Sequence, residues 1–575
     1  RLLRIFADRR RNQLVERPIP LWKVEPLTKY ENNNEIPRLS TDKPIVAKLP
    51  RNLTISPYLK IKAPAGLLID MRTDNYNGGS EYNFRSEYIT KAGVQEFESL
   101  AYLNGHDVIY SIPKGVEILE LAYRETRYNT EFVGSFHSSD TFLNQLWIKC
   151  RNTMNVNMRD AIQDPDRERA QWWGDATIVM GEMFHSCDLK AHALVKKAIY
   201  NLVDWRKDDG VLYSPVPAGN WDRELPGQML ASIGKYGFWY YYMQTEDAPT
   251  IKHASPAVKN YLKLWKIGPD GLLVHRAGGW DWGDWGDNID RPVLDNALLY
   301  QALVAAIYMA GIAGDRADIA LFQNMMKSIK ENYNKVLWTG TAYRSAGFQG
   351  ITDDRGNAWA VLSGLANKDQ YTAIKKLFTT SFNSSPYMEK YVMESLFTMN
   401  DADAALTRMK YRYQKMVESP LTTLWEGWGI GPEGYGGGSY NHGWSGGPLT
   451  LLTQYVCGVT PLEAGFSRFR VKPQLGYLDH ASASFETVKG TIKSSFQKNN
   501  NGFELKVTVP PASKAVIEIP AQKVMSIRLN GKTIWENGKY RSNTNKHQIA
   551  EEGSIGFETS PGDWTFLALE KEKGH

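Results

Sequence analysis

A mainly α fold, with a closed toroid of helical hairpins between two β-sandwich regions, is predicted for this chain of 575 residues. Three observations predict it. Both ends of the sequence have strand texture, the middle third and more has helical spacing, and Gly- and aromatic-rich stretches interrupt the helices as loops gathered at one mouth of a toroid would.

Residues 1–133 read as a β-sandwich, expected to be truncated at its start: "GVEILELAYRETRY" alternates apolar and polar positions, and Pro and Gly cut the region into short pieces. Ser138–Asp140 supplies N-cap residues, and "TFLNQLWIKCRNTM" follows with helical spacing at Leu143, Leu146, Trp147, Cys150 and Met154. The pattern recurs to about Val459, as at Phe322, Met325, Met326, Ile329, Tyr333 and Val336, which sets a helical domain over 134–460 with room for about ten to twelve helices. Within 461–575, "GTIKSSFQ", "GFELKVTV", "AVIEIP" and "SPGDWTFLAL" are strand-like, and a second β-sandwich is expected there.

Composition narrows the function. The net charge is +5 from 68 basic and 63 acidic residues, and no run of like charges forms a nucleic-acid surface. Cys150, Cys187 and Cys457 are too scattered for a disulfide framework or a metal site. The most apolar run, Ala297–Ala313, is short for a membrane span and reads as a buried helix. Arg1, not a methionine, opens the sequence, so any signal peptide would lie outside it. Tryptophan is the informative residue. Nine of 18 fall in the segments 163–175, 219–228, 278–288 and 421–447, beside glycines and acids. Flat apolar walls with a few aimed polar groups are what a sugar pocket needs.

The first segment, "QDPDRERAQWWGDA", allows two arrangements. If a helix starts at Asp164–Pro165, then Asp164, Glu168 and Asp175 share a face with Trp172. If the helix starts near Gly174, residues 163–173 are a loop. Either collects carboxylates beside an aromatic wall, and a salt-bridge network with Arg167 and Arg169 is the structural alternative. "TTLWEGWGIGPEGYGGGSYNHGWSGG" places Glu426 between Trp425 and Trp428, followed by Asn441, His442 and Trp444. Its glycines suit a loop wrapped on a ligand. "GGWDWGDWGDN" spaces Asp281, Asp284 and Asp287 by three, which fails the spacing of an EF-hand and leaves either sugar contacts or turn caps. "GNWDRELPGQ" is weaker. The matches "GWSGG" to a serine-hydrolase elbow and "GIGPEG" to a dinucleotide loop lack the strand that each requires.

The stretches "GSFHSSDTFLNQLW", "DPDRERAQWWGDA", "PVLDNALLYQAL", "SPYMEKYVMESLF", "TTLWEGW" and "NHGW" together resemble, in order over about 130–475, the bacterial α-L-rhamnosidases of glycoside hydrolase family 78. The resemblance implies an (α/α)6 barrel and an exo-acting, inverting hydrolase that releases terminal α-L-rhamnose from an oligosaccharide, polysaccharide or glycoside. It assigns the general acid to Glu168 and the general base to Glu426. Gln163, Asp164, Arg167, Trp172, Asp175, Trp282, Asp284, Trp285, Trp425, His442 and Trp444 would bind the sugar. The family pattern has Asp where this chain has Gln163, Cys at Asp164, Gly at Gln171 and Arg at Gly427. No cofactor, metal, nucleic acid or membrane span is expected, and the site of action is periplasmic or extracellular. The alternatives are another α/α-toroid glycosidase, a polysaccharide lyase, or a non-catalytic carbohydrate-binding protein.

Overall fold

The computed structural model describes residues 16–75, 84–217, 221–430, 438–541 and 553–570. Strands β1 (Lys23–Lys29), β2 (Ile45–Ala63), β3 (Leu68–Thr73), β4 (Arg85–Ile89), β5 (Gly93–Glu98), β6 (Leu103–Ser111) and β7 (Glu117–Arg127) are hydrogen-bonded in the order β1-β7-β2-β6-β3-β4, with β5 added on β2. The region expected as two facing sheets is thus one continuous sheet. The reason is β2. Its 19 residues pair with β6 at one end and with β5 and β7 at the other. A separate apolar core, including Leu59, Ile61, Ile69, Met71 and Val108, backs it.

β8 (Ser135–Ser138) leaves this sheet and joins the far end of the chain, pairing with β11 (His480–Thr487). The expected strands there are β12 (Gly490–Asn499), β13 (Gly502–Val509), β14 (Lys514–Pro520) and β19 (Gly562–Glu570). β15 to β17 lie within 524–540, and β18 is Ser554–Thr559. They form an eight-stranded sheet, β17-β16-β15-β19-β13-β12-β11-β8. A four-stranded sheet joins β18 and β14 to β10 (Arg468–Val471) and β9 (Val459–Pro461). The β11 burial alternates strictly, as one face on a core demands.

Between the sheets lie thirteen α-helices among the described residues. The first, Thr141–Asn157, begins as the spacing predicts: the Asp140 carboxylate accepts from the Phe142 amide, and Leu143, Leu146, Trp147, Cys150 and Met154 are buried. Along Ile319–Leu337 the buried stripe ends on Leu337, and Val336 faces solvent. Six helices are buried along most or all of their length: Trp173–Ser186, Pro226–Ile233, Arg291–Ala313, Asp354–Leu362, Pro386–Thr398 and Gly447–Leu451. Each packs on the next, and the last, which continues into a π-turn over Leu452–Val456, packs on the first. Arg291–Ala313 is long and apolar enough to cross a bilayer, but it is a member of this buried group. "Mainly α" describes the middle of the chain alone; strands occupy 28% of the whole against 36% for helix, because both flanks are sheets.

Candidate active site

The first motif resolves in favour of the loop. Residues 163–172 are turn and coil, and the helix begins at Trp173 with Trp172 as its N-cap and Asp175 in its first turn. Asp164 shapes the loop by accepting from the Asp166 amide at 2.9 Å, an Asx turn that outcompetes a helix start. Arg169 takes a left-handed backbone, φ 57°, and stacks on Phe84 and Tyr102 at 3.9 and 4.0 Å. Arg159 covers the same Tyr102 ring at 4.0 Å. Tyr102 belongs to the N-terminal sheet region, so that sheet clamps the loop.

A cavity of about 200 Å³ opens beside the loop. Arg167, Glu168, Trp172, Asp175, Trp282, Trp285, Glu426, His442 and Trp444 line it, nine of the thirteen residues expected at the site. Trp221, Leu225, Gln228 and Trp280 complete the lining. The tryptophans form a continuous wall. Trp282 stacks on Trp444 with centroids 6.0 Å apart at 13°, and Trp280 contacts Trp172, Trp221, Trp282 and Trp285 at 5.8–6.4 Å.

Four expected residues lie behind the lining. Trp425 is buried in the core, while Glu426, the next residue, lines the cavity with Trp444. Asp284 is buried on Arg355 at 3.3 Å and accepts from the Ser385 amide at 2.8 Å and from its hydroxyl. It anchors the loop that presents Trp282 and Trp285; the turn-and-anchor reading of the Asp281–Asp287 series is the structural outcome. Asp281 likewise pairs with Arg291 at 2.6 Å. The Gln163 amide donates to the Tyr102 hydroxyl at 3.2 Å, and Asp164 is engaged by Arg167 at 2.8 Å and His442 at 3.4 Å. The Gly-rich part of the second motif, 431–437, and residues 218–220 lie outside the described residues.

The charges form one chain. Arg167 lies 3.7 Å from Glu168 and 3.4 Å from Glu426, so one guanidinium bridges carboxylates 258 positions apart in sequence. Glu168 is partly exposed and accepts from the Trp172 indole. Glu426 is fully buried. Its Oε2 accepts from the Ser439 hydroxyl at 3.2 Å, and its Oε1 is the atom that faces the Arg167 guanidinium. Burial raises its pKa above the ordinary carboxylate value, against the pull of His442 and Arg167. His442 pairs with Asp175 at 2.7 Å. Burial opposes its charge, but Asp175, Asp164 and Glu426 outweigh burial and hold the imidazolium well above the usual histidine range. Burial likewise pushes Asp164 up, and Arg167 and His442 reverse this to hold it well below the carboxylate range.

Behind the loop is a group that the sequence reading missed. Asp166 is buried and accepts from the amides of Asn75 at 2.9 Å, Asn104 at 2.7 Å and Asn441 at 2.9 and 3.0 Å. Three strands of chain far apart in sequence meet there, and no local pattern signals it. Burial and the Asp164 charge raise this carboxyl to about 7, although the amide donors favour its anion.

Two family models match the chain. The bacterial α-L-rhamnosidase six-hairpin glycosidase domain covers residues 131–456, and the bacterial α-L-rhamnosidase C-terminal domain covers 458–533. Among curated proteins, an α-L-rhamnosidase of Streptomyces avermitilis is 23% identical over 520 residues, 83% of this chain and 48% of the relative. One from Formosa agariphila is 22% identical over 85% of this chain and 56% of the relative. The chain therefore spans about half the length of these relatives. Solved structures share the fold. The α-L-rhamnosidase of Dictyoglumus thermophilum superposes with TM-score 0.80 at 21% identity, covering 96% of this chain and 64% of that one. The Streptomyces avermitilis enzyme complexed with L-rhamnose gives 0.78 at 19% identity, covering 96% and 54%. With one domain model matched over more than half its residues, the chain belongs to the bacterial α-L-rhamnosidase family.

Proposed function

We propose that this chain is an exo-acting, inverting α-L-rhamnosidase that works outside the cytoplasm on a glycan or glycoside, and that its six buried helices are the inner ring of a closed (α/α)6 toroid. The observation that carries the reading is the juxtaposition of Glu168 and Glu426 across one guanidinium in a tryptophan-walled cavity. The closed sequence of helix contacts supports the toroid.

Hydrolysis needs an acid at the glycosidic oxygen and a base for water on the opposite face of the sugar. Glu168 is the acid: it is the partly exposed carboxylate at the cavity mouth, where the leaving group departs. Glu426 is the base. Ser439 holds its Oε2 and the Arg167 guanidinium meets its Oε1 at 3.4 Å, which orients the carboxylate to accept the proton of water. Asp175 and the His442 imidazolium hold sugar hydroxyls with charge-assisted hydrogen bonds, and the Trp282–Trp444 stack receives the apolar face of rhamnose. Two carboxylates perform this chemistry without a cofactor. Gln163 and Asp164 are occupied by Tyr102, Arg167 and His442, so the sugar loses the contact that the family's Asp supplies. Aryl rhamnosides are therefore turned over weakly, and an oligosaccharide with further contacts is turned over faster.

A panel of 4-nitrophenyl glycosides tests the reading. Turnover confined to the α-L-rhamnoside supports it. Preference for another sugar, or absence of turnover with any rhamnoside including oligosaccharides, defeats it.

A further inference from the structure

Three of the six buried helices, with Phe238–Thr245 beside them, line a second cavity at the end opposite the tryptophan-walled one. The residue order along three helices places it. On Trp173–Ser186, Asp175 lines the first cavity and Thr177, Ile178 and Gly181 the second. On Pro386–Thr398, Tyr387 packs on Trp282 and Trp444, while Lys390 and Glu394 line the second. Along Gly443–Val456, Trp444 faces the first, and Thr450 and Gln454 face the second. Two to ten residues separate the two linings along these segments, roughly 3–15 Å at 1.5 Å per residue. Tyr387 and Tyr391 stand between them.

The second cavity measures about 250 Å³, slightly more than the first. Its walls are Tyr236, Trp239, Tyr240 and Tyr455. Its polar groups are a buried ion pair, Lys390 to Glu394 at 2.6 Å, and the Gln454 amide, which donates to Tyr240 at 2.8 Å. The Tyr236 hydroxyl is buried against the Glu394 carboxylate. A polar groove continues from it past Asn400, Lys472 and Gln474, sharing Gln454, Tyr455 and Thr460 with the cavity. Protein interiors normally close such space, because an unfilled volume forfeits contacts. Here the space is kept open next to a buried cation, a buried anion, an amide and flat rings. That set offers donors and acceptors for hydroxyls and faces for C–H groups, the combination found in the first cavity.

We propose that this second cavity is a non-catalytic saccharide site, one ring seated between Trp239 and Tyr455 and the next in the groove toward Lys472. A glycan held there keeps the polymer on the protein while a chain end enters the catalytic cavity, which raises the local concentration of ends. This inference rests on the rhamnosidase reading only for the identity of the sugar.

The test uses the full chain. Crystals of Glu426→Gln are soaked with L-rhamnose and with rutinose, and binding in solution is followed by NMR titration. Trp239→Ala removes a wall, and Thr460→Trp fills the mouth; circular dichroism checks that both fold. Expected are sugar density in both cavities, a loss of about tenfold or more in affinity for the second site in each variant, and unchanged kcat/KM on an aryl rhamnoside. Density in the catalytic cavity alone, or titrations indifferent to both variants, overturns the inference and leaves the rhamnosidase reading intact. Density in the second cavity alone supports the inference and counts against that reading.

Discussion

Arg167 touches Glu426 at 3.4 Å while Asp164 fixes the same guanidinium at 2.8 Å, so the cation that steadies the candidate base is itself held by a buried anion. Arg167→Met leaves Asp164 and Glu426 buried without that cation. The Glu426 pKa, already raised by burial, then rises further. The acid limb of kcat/KM should move to higher pH, with a loss of about 10²-fold near neutrality. An unmoved limb would assign Arg167 a purely structural role.

Glu168→Gln and Glu426→Gln should each lower kcat by about 10²–10⁴-fold without unfolding the protein. Turnover by either variant within a few-fold of wild type, measured on the best oligosaccharide, removes that residue from the mechanism.

Product stereochemistry tests the proposed inversion. Inversion needs carboxyl groups roughly 6.5–9.5 Å apart, retention about 5–5.5 Å. Proton NMR of the first-formed rhamnose should show the β anomer; an initial α anomer rejects inversion.

Trp221 and Trp280 stand on the cavity wall, partly exposed, whereas Trp425 is in the core. Trp221→Ala should raise KM with little change in melting temperature. Trp425→Ala should cost about 3–5 kcal/mol of stability. Thermal melts and Michaelis–Menten kinetics on both variants decide it, and a reversed pattern would contradict the placement.

Asp166 sets a pH dependence of stability. Its folded pKa, about 7, lies above the ordinary carboxylate value of 3.8. Between those values the native state binds the extra proton, so stability falls as pH rises through that window. Asp166→Asn should flatten the decline in melting temperature between mildly acidic and mildly alkaline pH. An identical decline in variant and wild type would place the titration elsewhere.

Local chemistry made much of the architecture legible. The Asp140 cap, the buried stripe from Leu143 to Met154 and the alternation in β7, β12 and β13 depend on nearest neighbours along the chain, and these elements stand where the spacing places them. The Trp-rich segments were legible for a related reason: so many large rings beside glycines and acids are costly unless they wall a cavity, and six of the nine clustered tryptophans line one. What no window of sequence contains is the pairing of distant segments. β2 exchanges partners along its length and so joins what would otherwise be two sheets. Asp284 and Trp425 sit in motif segments yet face inward, because Arg355, Ser385 and the core claim them. The Asn75–Asn104–Asn441 cradle of Asp166, and Arg167 between Glu168 and Glu426, exist only where long-range folding brings those segments together. Propensity and patterning are local and can be read in order; burial, desolvation and charge pairing act through space, so the protonation states and the division between lining and support were decided by the tertiary structure alone.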